Sequence, residues 1–528
     1  MSSEPARESA AFARWSLLLF AGLLTLLNRW HEPWHDELQA WRLAIDSGSL
    51  ADLVRNLRYE GHPVLPYLLF RLLGLVSRSW TAAVVAHAAI ACGSAWLVLR
   101  HAPFTRLHRL MIVFGYYFLY EYAVIVRLYG LGMLLALAAC AAWCAPRRRA
   151  VLTALLLILL ANTSAVGLAL AMAMAFGFTV DATEEWGACW WILPARLRPV
   201  VVVSIVTVLV ALFSAWQIIP PSDAVYRGGG VMEADLSLSM LGRALSIPAR
   251  ALLPFAGRGT DGTTQWSTWA FDPSSRGQVV LVDLLSCLVV AACALVVSRR
   301  RSAVVLWLAG SGGFMLYFAL FHPGAVRHHG YVMVLFLVAV WLASAGEKTQ
   351  WRAPMDRLLD RVGDMRGASF TVLLLPLPCA ALQLARADAT QQFASASEIV
   401  MLLRREKLDT MPIVGASYPW SQPVAALLDR PIALPIEGRF GTWVDAGRAR
   451  HDRPAAALID STVEHLFATQ CRAVVLTDTG TPLSPWLTAR SRRLSPVGVT
   501  PMSGRSVAVW IATAQRCHLQ SGRAALRE

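Results

Sequence analysis

Hydrophobic residues in this chain gather into runs approaching the ~20 residues that cross a bilayer's hydrocarbon core, and the runs recur up to residue 384. Read against the polar residues between them, they predict eleven membrane helices. Six lie near 15–30, 80–99, 110–126, 128–145, 148–164 and 165–180, and five near 199–219, 279–297, 303–321, 331–345 and 369–384. The run from Trp15 to Leu27 passes into Asn28-Arg29-Trp30 without a small-residue cleavage site, so a retained first helix is expected. Beyond residue 384 the pattern is that of soluble protein. Helix-like pieces such as Ser395–Leu408 alternate with strand-like pieces such as Pro412–Gly415 and Ala473–Thr477. This predicts a small α/β domain over 385–528 behind an all-α polytopic membrane domain over 1–384.

Two segments are too long for simple connections. In residues 31–79, Leu38, Trp41 and Ile45 recur at helical spacing after Pro33 until Gly48, and Ser49 with Asp52 makes a capping start for a second helix ending at Gly61. Pro63–Gly74 is apolar but too short to span. The expectation is two or three amphipathic helices resting on the outer membrane surface. Residues 220–278 carry Gly228-Gly229-Gly230 and the pair Trp266 and Trp269, a pattern that reads as a mobile cover.

Composition agrees: 56% hydrophobic residues, 16% charged and a mean hydropathy of +0.50 exclude an ordinary soluble globule. The net charge of +14 is spread between apolar runs and forms no continuous basic face, which argues against a nucleic-acid partner. It follows topology instead. With the N-terminus inside, the inner turns carry Arg100, Arg106 and Arg109, then Arg147–Arg149, Arg196 and Arg198, Arg299–Arg301, and Lys348 to Arg366. An odd helix count then places the tail outside, giving a multi-pass protein of the bacterial cytoplasmic membrane with an extracytoplasmic C-terminal domain. Seven of the nine cysteines sit in or beside apolar segments, and only Cys471 and Cys517 fall in the tail, where one disulfide is permitted.

Four polar constellations fall on the same predicted face. His31-Glu32-Pro33-Trp34-His35-Asp36-Glu37 sets two imidazoles and three carboxylates at the mouth of the first helix. Acids here also complement a helix N-terminus, but capping does not call for the histidines. Arg58-Tyr59-Glu60-Gly61-His62-Pro63 makes a bend that presents Glu60 and His62 together. Glu121-Tyr122 with Arg127-Leu128-Tyr129 occupies an outer turn, where charge near lipid marks a functional candidate and arginine suits a phosphate. Arg327-His328-His329 lies in another outer loop beside His322. Carboxylate, imidazole and guanidinium at one membrane face can activate an acceptor by general base catalysis or hold a divalent metal.

The order of helix one, WHDELQAW, EGHPVLPYLLFRLLG and helix two resembles the GT-C superfamily of membrane glycosyltransferases, which includes lipid A aminoarabinose transferases and protein O-mannosyltransferases. It looks most like the bacterial group with a glycosyltransferase RgtA/B/C/D-like domain, over roughly residues 15–345. The resemblance implies a polyprenyl-phosphate sugar donor and a lipid, glycan or protein acceptor. It implies Asp36, with Glu37 beside it, as catalytic base or metal-associated acid. Glu60 with His328 or His329 is implied as a site for Zn, Mn or Mg, and Arg127 as a neighbour of the donor phosphate. His35, Arg58, His62, Glu121, Tyr129 and Arg327 complete the expected substrate-binding set. The sequence departs from the family in His62-Pro63-Val64, where relatives carry Pro-Pro. A flippase or transporter of lipid-linked substrates is the competing class, to be marked by inverted repeats and mid-helix acids, and neither pattern is visible.

Overall fold

The computed structural model describes the chain except residues 1–3, 187–197, 220, 222–237, 260–261, 346–355, 358, 360–362, 364, 418–419, 446–453, 479–482, 496–500, 504–505 and 516–528. Each of the eleven apolar runs is helical over most of its length. The first ten α-helices are α1 (Glu4–Trp30), α2 (His35–Asp46), α3 (Leu50–Glu60), α4 (Leu65–Val76), α5 (Trp80–His101), α6 (Arg106–Val113), α7 (Tyr129–Trp143), α8 (Ala150–Ala161), α9 (Ala165–Trp186) and α10 (Arg198–Ile218). Helices Arg276–Val297, Arg301–Leu320 and Val326–Ala345 follow, then the pair Met365–Leu374 and Pro376–Thr390. Among the described residues, seven helical stretches are long and apolar enough to cross a bilayer, and four further apolar helices are shorter.

Burial sorts these helices. In Val326–Ala345 every residue from His329 to Ala343 is buried, which makes this helix the centre of the bundle. Arg276–Val297 instead exposes Leu281, Leu284 and Leu288, spaced at three and four so that they share one face. Such a stripe is costly in water and natural against lipid. Two of the arginines that flank the spans are neutralised internally. The fully buried Asp181 pairs with Arg148 at 2.9 Å and Arg300 at 2.7 Å, and accepts from Trp143 Nε1 and Ser302 Oγ.

The run expected as one helix over 110–126 is broken. After α6 the chain forms a π-helix over Tyr116–Glu121, with Tyr122 N donating to Tyr117 O at 3.0 Å, and then leaves helical geometry until α7. Gly115 permits the break: a Cβ there would lie 2.8 Å from Met111 O and 3.0 Å from Leu377 Cβ. Single π turns concentrate at functional sites, and this one delivers Glu121 and Arg127 to the site.

The segment 31–79, expected to hold two or three helices, holds three, and Ser49 Oγ accepts from Asp52 N at 3.1 Å as the capping pattern requires. Gly61 closes α3 at φ +68°, a left-handed conformation that suits glycine. Surface position fails for α2. Its residues Asp36–Ala44 are all buried, because the helix is wedged between the membrane bundle and the C-terminal domain. Residues 238–278 also differ from a cover: helices Leu238–Leu245 and Ile247–Leu252 and the hairpin β1 (Gly257–Arg258)/β2 (Thr264–Gln265) pack inward, with Trp266 and Trp269 buried. Gly228–Gly230 lie outside the described residues.

The tail is the expected α/β unit. Strands β3 (Ile413–Gly415), β4 (Ile432–Leu434), β5 (Arg439–Gly441), β6 (Arg472–Asp478), β7 (Ser491–Ser495) and β8 (Val507–Thr513) order as β5-β4-β3-β6-β8-β7. β3 is parallel to β4 and β6, and the other pairs are antiparallel. Period-two alternation serves two cores: Ile413, Val474 and Leu476 pack with helices Ala396–Arg405 and Gln422–Leu428, while Val414, Ala473 and Val475 pack with Ala456–Phe467. The last apolar helix runs on to Thr390 and this core begins at Ala396, a few residues beyond the expected division. Cys471 is disulfide-bonded, and Cys517 lies outside the described residues.

Candidate functional site

Pro33 and the extended Trp34 turn the chain from α1 into α2, so that Asp36 and Glu37 occupy the first helical turn, where unsatisfied N–H groups favour carboxylates. One residue apart on a helix, they face different ways and do different things. Glu37 is fully buried. Its Oε1 accepts from Val126 N at 2.6 Å, and its Oε2 accepts from Trp34 N at 3.0 Å and from His31 Nε2 at 3.2 Å. His31 Nδ1 reaches Asp388 Oδ2 at 3.0 Å, and Tyr120 OH donates to the same oxygen. Burial opposes charge on this imidazole, but Asp388 and then Glu37 outweigh it and the His31 pKa is pushed up to about 10. His31 is therefore an imidazolium that ties the end of α1 to α2 and to Pro376–Thr390.

Asp36 is oriented toward the arginine instead. Its Oδ1 lies 2.8 Å from His35 Nε2 and its Oδ2 3.4 Å from Arg127 Nη2, while its backbone carbonyl accepts from Arg127 Nη1 at 2.9 Å. The Arg127 guanidinium also sits 5.9 Å from the Tyr129 ring. Burial works against the charged guanidinium, yet the adjacent Asp36 carboxylate prevails and its pKa is raised. Tyr67, buried in α4, has its phenol pKa raised by burial and then by Glu60, and it also feels Arg127 and Asp36. Glu60 thus belongs to the same charged cluster. It accepts from Gln39 Nε2 at 2.9 Å, and that amide also donates to Val444 O and accepts from Val444 N, which joins α2 to the C-terminal domain.

A second guanidinium closes the site. Arg327 lies 5.5 Å from the Trp34 ring and 5.2 Å from the Trp266 ring, and donates to Ser267 Oγ. Trp266 Nε1 donates to Glu121 Oε2 at 2.9 Å, and Tyr116 OH donates to the same oxygen at 2.5 Å. Arg127 Nε, Arg327 Nε and Trp34 Nε1 are buried without a hydrogen-bond partner among the described residues. Three buried donors left open are costly unless a ligand accepts from them.

The remaining expected residues lie around this cluster, and His328 reaches it through Tyr129. Arg58 stacks 4.8 Å from the Trp216 ring at the end of α10, and His62 follows at the half-buried bend before α4. His328 Nδ1 accepts from Ala325 N at 2.8 Å, with its ring 5.4 Å from Tyr129. His329 Nε2 contacts Pro323 O at 3.1 Å, and its ring lies 4.9 Å from Phe318. Both imidazoles thus cap the turn before their helix. Among the described residues no three His, Cys, Asp or Glu side chains converge as a metal-holding group. Glu60, His328 and His329 therefore do not assemble a ligand set of that size.

Sequence reasoning missed Asp388, Trp34, Trp266 and Gln39. Asp388 carried a signal, an acid near the end of an apolar run. Trp34 and Trp266 stood out only as members of a polar motif and an aromatic pair, and Gln39 carried no signal, since the partners that give them their roles lie far away in the chain.

No known protein family matches the sequence, and no curated protein matches it either. Among solved structures the chain is similar to ArnT from Cupriavidus metallidurans, crystallised bound to undecaprenyl phosphate, with 13% identity and a TM-score of 0.43 over 93% of this chain and 97% of that one.

Proposed function

We propose that this chain is a GT-C-type membrane glycosyltransferase that moves a sugar, with inversion, from a polyprenyl-phosphate donor to a lipid, glycan or protein acceptor on the extracytoplasmic face. The observation that carries the reading is the buried Asp36 carboxylate set against Arg127, whose Nε is buried and open, with a second open guanidinium nitrogen on Arg327 over Trp34 and Trp266. A carboxylate that holds a proton acceptor beside guanidinium groups suited to phosphate supplies both needs of such a transfer.

In this reading Asp36 takes the proton of an acceptor hydroxyl as its oxygen bonds to the anomeric carbon. The bond from that carbon to the phosphate oxygen breaks, and its electron pair leaves with the polyprenyl phosphate. Arg127 and Arg327 stabilise the charge that develops there. His35 holds one oxygen of Asp36 in place, and in this reading donor phosphate draws the guanidinium away from its long 3.4 Å contact with the other. That exchange raises the basicity of Asp36 only when donor is bound.

The test is donor turnover by purified Asp36→Asn in nanodiscs with a polyprenyl-phosphate sugar. A loss of about 100-fold to 10,000-fold is expected for removal of a general base. Turnover at the wild-type rate would end the proposal.

A further inference from the structure

A second polar cleft opens at the far end of α2, between that helix and the C-terminal sheet. Its volume is about 480 Å³, and it is lined by Arg42 and Asp46 of α2, Arg78 before α5, Asp429 and the edge strand β5 with Trp443 beyond it. Asp46 lies ten residues after Asp36, so at 1.5 Å per residue the cleft is roughly 15 Å along the helix from the reacting carboxylate. It is a separate place from the site above.

The charges in the cleft are already matched. Arg42 Nε pairs with Asp46 at 2.8 Å and its Nη1 with Asp429, Arg78 pairs with the other oxygen of Asp46, and Thr442 Oγ1 donates to Asp46. Arg439 pairs with Glu437 and stacks 4.5 Å from the Trp443 ring. The cleft lining thus sets three guanidinium groups against the carboxylates of Asp46 and Asp429, and Glu437 outside the lining takes the charge of Arg439. An ion of either sign would have to break these pairs, whereas a neutral ligand whose groups both donate and accept can bond their outward lone pairs and N–H groups intact. Beside them Phe440 is 54% exposed, an aromatic face set next to paired charge.

We infer that this cleft binds the sugar rings of a neutral oligosaccharide, with Phe440 as apolar platform and the Arg42, Arg78 and Asp46 groups as hydroxyl partners. The inference rests on the glycosyltransferase reading for its consequence: the acceptor is a glycan, held by residues remote from its reacting hydroxyl. Binding energy gathered there is available to orient the reacting end.

The experiment is binding of the full chain in nanodiscs to an array of neutral, anionic and cationic oligosaccharides, with unlabelled lipid nanodiscs as control. Wild type is expected to retain neutral oligosaccharides, and Phe440→Ala and Arg78→Ala to lower that binding at least tenfold with thermal midpoints little changed, since both side chains are about half exposed and Asp46 keeps Arg42 and Thr442 when Arg78 is removed. The Asp36→Asn variant should bind as wild type does. Retention of charged glycans alone, no retention of any glycan, or neutral binding that survives both variants would overturn the inference. Donor turnover is read separately, so a failed Asp36→Asn test with intact glycan binding rejects the catalytic reading and leaves the cleft standing.

Discussion

Glu37→Gln separates a buried strut from a catalytic acid. Glu37 receives three donors, Val126 N at 2.6 Å on one oxygen and Trp34 N and His31 Nε2 at 3.0 and 3.2 Å on the other. An amide keeps only one of those oxygens. With its carbonyl toward Val126, its NH₂ group faces two N–H donors; flipped, it faces Val126 N–H. One unmatched buried donor costs about 1–3 kcal/mol, and His31, a buried imidazolium, also loses one of its two carboxylates, a class of loss worth about 3–5 kcal/mol. The two terms share a network and do not add, so a loss of about 3–5 kcal/mol is expected. Thermal unfolding in nanodiscs, followed by tryptophan fluorescence, should show a midpoint several degrees lower. Turnover measured well below that midpoint should fall far less than for Asp36→Asn. The Asp36→Asn midpoint should move less, since its backbone carbonyl still accepts from Arg127. A wild-type midpoint with no turnover in Glu37→Gln, together with an active Asp36→Asn, would transfer the catalytic role to Glu37.

Other outcomes follow from the same geometry. The folded-state His31 pKa of about 10 lies above its ordinary 6.5, so its contribution to stability is fully present below pH 6.5 and is lost as pH rises through 10. The wild-type thermal midpoint should decline across that window, and in His31→Gln the decline should flatten; equal slopes would refute the clamp. Arg127→Lys keeps the charge but not the planar fork, and should lose turnover nearly as far as Arg127→Ala, with recovery by lysine counting against phosphate recognition by a fork. Reporters fused after Arg149 or Arg301 should read cytoplasmic and one after Glu528 extracytoplasmic; a cytoplasmic Glu528 signal would invert the tail. Turnover should persist through chelation, and a loss restored by Zn, Mn or Mg and abolished in Glu60→Ala would assign Glu60 with His328 or His329 to a metal.

Apolar run length and helical period determined the apolar helices, the three helices of the segment 31–79 and the α/β character of the tail, because each of these is a local property of composition and spacing. The Ser49 cap and the stop at Gly61 were legible for the same reason, since both are settled by neighbours in the chain. The segment 110–126 was not, because its break depends on Gly115 meeting Leu377 of a distant helix. The acids were legible as a pair, and only packing told them apart: the same helical turn sends Glu37 into the bundle against Val126 and His31 and leaves Asp36 beside Arg127. Nor does hydrophobic periodicity say what a helix is buried against. The face of α2 that reads as amphipathic is covered on its polar side by the C-terminal domain, through Gln39 on Val444 and Arg42 on Asp429, 405 and 387 residues apart in the chain. Periodicity measures how much a segment must bury, while the partners that bury it, and the charges they neutralise, are set only when distant segments meet.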